Sequence, residues 1–212
     1  MPVLSDFHLG ADVVAADGRK VGTLARVVVE ANGFDPRALV VKEEESFAGR
    51  LLAAESPCIT DEVVVPIGAV LSATHDVVKL AMSSHDVRHQ PPYLSHHLKQ
   101  LTAGTALFEE AEVVTGGIAI PVYEESAAKS ADEIEIDSGE NVMLGTTGVR
   151  FGTVQDILLD NGEMIGVVVR PDGLFKKDVM LPIRFISRAD DMSLFAHLAQ
   201  SDVDQLKRFT DG

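Results

Sequence analysis

Gly18-Arg-Lys-Val-Gly22-Thr23 runs straight into Leu24–Glu30, and Gly148-Val-Arg-Phe-Gly152-Thr153 runs into Val154–Asp160. Each stretch reads as a glycine turn followed by a strand of aliphatic and β-branched residues. Glycine reaches positive φ without steric cost, and β-branched side chains favour extended backbone. The copies lie 130 positions apart, and the match continues in order. Leu39-Val40-Val41 answers Val167-Val168-Val169 at an offset of 128, so the first copy has a hairpin loop two residues longer. Val63-Val64-Val65-Pro66-Ile67 answers Val179-Met180-Leu181-Pro182-Ile183 at an offset of 116, which runs on without a gap to Asp86-Val87 against Asp202-Val203. Ordered matches with small length changes confined to loops indicate a duplicated unit.

The duplication sets three regions: a first unit over residues 1–93, an acidic connector over 94–132, and a second unit over 133–212. In the first, Asp17-Gly18 signals a turn between strands over Ala11–Ala16 and Val21–Glu30, with Val21, Leu24 or Val27, and Val29 facing inward. Asn32-Gly33 with Pro36 signals a hairpin before a strand over Ala38–Lys42. Residues 43–62 are the longest loop and hold Cys58. Val63–Ile67 is a strand, Val70–Ala73 and Val77–Met82 close a hairpin, and Ser84–His89 is a helical turn ended by Pro91-Pro92.

In the connector, Tyr93, Leu94, His97, Leu98 and Leu101 fall at helical spacing and predict a short helix. Val113–Val122 reads as an edge strand and Glu124–Asp132 as a solvated loop. Glu133-Ile134-Glu135-Ile136-Asp137 alternates and is expected to head the second unit. Strands over Asn141–Leu144, Val154–Asp160, Ile165–Arg170, Val179–Ile183, Ile186–Arg188 and Leu194–Leu198 follow. Ser201-Asp-Val-Asp204 has the pattern of a helix start. Many short strands between Gly and Pro turns indicate a mainly β chain of sandwiches or small barrels.

These motifs resemble the PRC-barrel family. The resemblance rests on Gly10–Leu24 with Val63-Val-Val-Pro66 in the first unit, and on Gly148–Val154, Asp160-Asn-Gly162 and Val179-Met-Leu-Pro182 in the second. Similar barrels occur in the cytoplasmic domain of the photosynthetic reaction-centre H subunit and in a ribosome maturation factor. The resemblance implies two small PRC-type β-barrels in tandem, with short helices at their ends, used for protein contacts. It brings no catalytic residues. This chain departs from those arrangements by carrying two barrels, by its acidity, and by the absence of a membrane helix or a preceding domain from its sequence.

Net charge is −15, and residues 94–140 carry −8 of it. So acidic a chain repels nucleic-acid phosphates and anionic lipid, and attracts basic protein. Direct nucleic-acid binding and membrane insertion are therefore not expected. The single Cys58 forms no intrachain disulfide, and the first residues lack the pattern of a signal peptide, so the expectation is a cytoplasmic protein. Units of this size hold modest cores, which favours packing between units or a homodimer through an exposed sheet edge.

The residues assemble no catalytic, cofactor-binding or metal-ligating set. Gly18–Thr23 lacks the Gly-Lys-Ser/Thr ending of a phosphate loop and leads to a strand. His85 and His89, four apart, have a metal-site spacing on a helix, with His96 and His97 beyond, but Pro91-Pro92 intervenes and the second copy has Ser201 and Gln205 at the matching positions. Solvated surface histidine is the expectation for all four. Asp86 and Asp202 correspond between copies and are read as capping or turn residues. Cys58 is read as inert, and Lys176-Lys177 beside Phe175 as a solvated pair or a docking point for acidic protein. The function expected is a non-catalytic interaction or scaffold protein. The alternatives are an RNA-processing or ribosome-assembly accessory acting through a protein partner, and a docking accessory in photosynthesis or electron transfer.

Overall fold

Both glycine turns form, the first within a seven-stranded sheet and the second within a six-stranded one. A computed structural model of the protein describes residues 8–43, 62–99, 122–145, 147–160, 162–173, 177–190 and 192–198, with Asp202 and Leu206. The first sheet contains β1 (Asp12–Val14), β2 (Lys20–Glu30), β3 (Pro36–Glu43), β4 (Glu62–Pro66), β5 (Val70–Thr74) and β6 (Val77–Leu80), in the order β4-β3-β2-β1-β6-β5. A one-turn helix, α1 (Ser84–Arg88), follows it. Then come β7 (Leu94–Lys99), β8 (Val122–Ala127) and β9 (Glu133–Asp137). The second sheet contains β10 (Asn141–Leu144), β11 (Val149–Asp160), β12 (Glu163–Pro171), β13 (Val179–Pro182), β14 (Ile186–Asp190) and β15 (Ser193–Ala196), in the order β13-β12-β11-β10-β15-β14.

The two sheets repeat each other residue by residue. Val13 faces Gly22 as Val142 faces Gly152, and both pairs sit beside a bulge. Arg26 faces Val40 as Asp156 faces Val168. Ala38 faces Pro66 as Gly166 faces Pro182. The strands β1 and β6, like β10 and β15, pair in parallel. After Pro66 and Pro182 the chain makes one 3-10 turn before the next strand.

The two glycines of each motif do different work. Gly18 and Gly148 sit at φ +79° and +67°, the left-handed region that favours glycine. Gly22 and Gly152 lie inside strands, where a Cβ would clash with the carbonyl oxygens of Lys42 and Arg170. Close strand approach therefore fixes the second glycine, and turn geometry the first.

Val21, Leu24, Val27 and Val29 are all buried: alternation offered Leu24 or Val27, and the register shift between Leu24 and Arg26 turns both toward the core. Val28 is buried too, on the opposite face, because that face carries a second small core of Val28, Ala38, Val40 and Tyr93. The main core is continuous through both units, from Val13 and Val78 to Val154 and Leu194.

Three expectations for residues 94–137 are corrected. Leu94–Lys99 is a strand, β7, in place of the predicted helix. Glu124 begins no solvated loop, since Val122–Ala127 forms β8, which pairs antiparallel with β7. Helical spacing misleads here because Pro91-Pro92 leads into extended chain, and Tyr93 buries its ring on the first sheet rather than along a helix. The third concerns β9: it pairs antiparallel with β2, from Arg26↔Asp137 to Glu30↔Glu133, and so joins the sheet of the first unit. Cys58, Val113–Pro121 and most of the 201–204 helix start lie outside the described residues.

Candidate functional site

Alternation along β9 divides its side chains between two faces. Ile134 and Ile136 are buried in the main core, and each contributes about 2 kcal/mol by leaving water. Glu135 and Asp137 face the other way and meet Arg26 of β2. Nε and Nη2 of Arg26 donate to the two carboxylate oxygens of Glu62 at 3.3 Å, and Nη1 donates to Oδ2 of Asp137 at 3.3 Å. Glu135 Oε1 lies 3.5 Å from Nη1. One guanidinium thus binds three carboxylates contributed by β4 and β9. Burial works against the charged guanidinium, and the bond and field of Glu62 with the fields of Glu135 and Asp137 outweigh it, so the Arg26 pKa is raised. Burial raises the Asp137 pKa against the pull of Arg26.

The same guanidinium stands over the ring of Tyr93, 5.4 Å from its centroid. Tyr93 is fully buried, and its hydroxyl has no hydrogen-bond partner among the described residues. Its backbone is tied to the β4 edge and to the end of β8: Tyr93 N–H donates to Glu62 O at 2.9 Å, and Ala128 N–H donates to Tyr93 O at 2.6 Å. The start of the connector is therefore bound to the first unit at the Arg26 cluster.

Glu140 lies just beyond this cluster. Its backbone carbonyl accepts from Val154 N–H at 2.8 Å, as that of Ala11 accepts from Leu24 N–H at 2.9 Å in the first unit. The second copy thus places a carboxyl where the first has a buried methyl. Glu140 is 6 % exposed, and neither carboxyl oxygen has a partner among the described residues. Burial, followed by the field of Asp137 and then those of Glu135 and Asp190, raises its pKa to about 8. It therefore holds its proton to a higher pH than an ordinary glutamate.

The reciprocal junction lies on β11, where Asp156 takes the place of Arg26. Leu9 N–H donates to Asp156 Oδ1 at 2.7 Å. The start of the first unit thus touches the second, as β9 touches the first. Burial raises the Asp156 pKa against the bonds from Leu9 and Ile157.

Beside β13, a cavity of about 510 Å³ is lined by Ile165, Met180, Pro182, Phe185 and Leu206, with Arg184 and Asp202 as its charged members. The Arg184 guanidinium stacks 4.8 Å from the Phe185 ring centroid. In the first unit the residue matching Met180 is Val64, which packs against the Tyr93 core.

Several of the sequence candidates fall among the described residues. The exposed rings of His85 on α1 and His89 at its C-terminal cap stack at 4.3 Å, and the His89 Nδ1 lies 2.7 Å from the His85 carbonyl oxygen. His96 and His97 lie on β7, away from α1 in the chain. Ser83 caps α1, and Asp86 is its partner in the first turn: Ser83 Oγ accepts from Asp86 N–H at 3.2 Å and donates to Asp86 Oδ2 at 2.7 Å. Its match Asp202 lines the cavity instead. Lys177 is exposed, while Phe175 and Lys176 lie outside the described residues. Sequence reasoning missed Arg26, Glu140 and Asp156, whose partners lie far away in the chain. The signal available was charge inside apolar strands: Arg26 precedes Val27-Val28-Val29, and Asp156 precedes Ile157.

Among the described residues no helix is long and apolar enough to cross a membrane. The PRC-barrel domain profile matches residues 9–82 and 138–194, more than half of the chain. No curated protein matches it.

Proposed function

The chain belongs to the PRC-barrel domain family, and we propose that it is a non-catalytic scaffold protein that docks a basic protein partner on its second unit. PRC-barrel domains are protein-interaction modules. The observation that carries the docking reading is the cavity beside β13: an apolar floor of Ile165, Met180 and Phe185 with Arg184 and Asp202 among its lining residues. Such a cleft takes an apolar anchor side chain, and polar groups fix its direction. The chain's charge of −15 favours a basic segment around that anchor. The chain is further proposed to self-associate through the β5 edge of the first sheet, where Leu71 is 56 % exposed. The docking test is binding of basic peptides with one central aromatic or leucine residue to the full chain, followed by fluorescence anisotropy. Met180→Glu should abolish binding with the melting temperature unchanged. Equal binding of the same peptides without the apolar residue would refute the cleft as the site.

A further inference from the structure

His8, His75 and Asp76 are not adjacent in any sequence pattern, and the fold brings them together. The Asp76 carbonyl ties the β5–β6 turn to β1, accepting from Asp12 N–H at 2.8 Å. Thr74 Oγ1 donates across the turn to Val77 O at 3.2 Å. His8 is set from the other side, because the neighbouring Leu9 N–H is held by Asp156.

The donor atoms converge. The His8 and His75 rings lie 4.2 Å apart between centroids. Asp76 Oδ1 is 4.0 Å from His8 Nε2 and 3.1 Å from His75 Nδ1, which donates to it, so an ion held there displaces the Nδ1 proton of His75. One ligand atom from each of the three residues lies within 4.8 Å of the other two. With metal–ligand bonds of about 2.0–2.1 Å, donors of a tetrahedral ion stand roughly 3.4 Å apart, which the two distances bracket.

The tautomer is also set. His8 Nδ1 lies 2.7 Å from Leu9 O, so it carries the proton and donates. That leaves the Nε2 lone pair on the side of Asp76, and metal-binding histidines are oriented by such a bond from the other ring nitrogen. Asp156 adds a second carboxylate that stands in the field of both histidines.

The duplication sharpens the contrast. At the first junction the cation between the acids of β4 and β9 is Arg26. At the second, the matching residue is Asp156, which holds Leu9 N–H and stands in the field of His8 and His75. Two imidazoles and the Asp76 carboxylate offer two ring nitrogens and an oxygen to one divalent ion. Two nitrogens with carboxylate oxygen suit zinc and its transition-metal neighbours better than magnesium or calcium.

We propose that His8, His75 and Asp76 bind a zinc-class divalent ion, with Asp156 as the positioning residue that holds His8 in place. The ion clasps the start of the first unit to the β5–β6 turn and, through Leu9 and Asp156, braces that unit against the second. This does not depend on the docking function.

The test is calorimetric titration of the chelator-stripped full chain with zinc chloride alone, with cobalt(II) absorption as a second readout. One site per chain is expected, together with a rise in melting temperature. His75→Ala and Asp76→Ala change exposed turn residues and should each abolish that site, with the circular dichroism unchanged. Asp156→Asn should weaken it by about tenfold to a hundredfold at unchanged stoichiometry. The His85→Ala, His89→Ala double variant should bind as the parent does. The proposal is overturned if the parent takes up no zinc, if His75→Ala and Asp76→Ala keep the site, or if the α1 double variant loses it.

Discussion

Arg26 and Asp137 stand 111 positions apart in sequence and 3.3 Å apart in space, across the pairing of β2 with β9. This bond ties the first unit to the strand that leads into the second. Arg26→Ala leaves Glu62, Glu135 and Asp137 facing one another without a cation. Losing one member of a buried pair is far costlier than the pair's net worth, so stability should fall by about 3 kcal/mol. Urea unfolding at pH 7 measures it. The loss should shrink as pH falls toward 4 and the abandoned carboxylates take up protons.

Glu140 gives a pH dependence of defined sign. Its pKa rises from 4.5 in the unfolded chain to about 8 in the fold. Below pH 4.5 the carboxyl is neutral in both states and takes nothing from stability. Between pH 4.5 and 8 the unfolded state releases the proton that the folded state keeps, so stability falls as pH rises. Glu140→Gln removes this slope. Against the parent it should be near neutral at pH 4 and more stable at pH 8, by a difference on the order of a few kcal/mol. Parallel denaturation curves at the two pH values measure this; an equal effect at both would contradict the assignment.

Tyr93 separates ring from hydroxyl. Tyr93→Phe keeps the packing on Val28 and Val40 and removes a buried hydroxyl that lacks a partner among the described residues. Stability should hold or rise by about 1 kcal/mol. Tyr93→Ala opens the outer core and should lose about 3–5 kcal/mol. Chemical denaturation of both variants distinguishes ring packing from a hidden polar role.

The β5 edge predicts an assembly state. Leu71→Lys places a charge on the proposed self-association edge. Light scattering should find more than one copy for the parent and a 22.7 kDa monomer for the variant. A parent that stays at monomer mass over a wide concentration range would dispose of this interface.

The repeated sheets were legible because their signals are local. Gly18 and Gly148 mark turns, valine runs mark strands, and Pro66 and Pro182 mark the same break in both copies. The junctions were not legible for the opposite reason. The alternation of Glu133–Asp137 identifies a strand, yet nothing in five residues says which neighbour it will pair with. Both sheets offer a long strand at the matching place. His8 and His75 share no spacing, so the pattern search fell on His85 and His89, whose spacing is only that of a helical turn. Glu140 looked like one acid among many, because its burial follows from the position it shares with Ala11.

The central claim is that β9, carried by the chain of the second unit, is a working strand of the first. Hydrogen exchange of the full-length protein, followed by mass spectrometry, tests it most directly. Peptides covering Val27–Glu30 and Glu133–Asp137 should exchange slowly and together, and Arg26→Ala should speed both. Rapid exchange of Glu133–Asp137 beside a protected Val27–Glu30 would contradict the pairing.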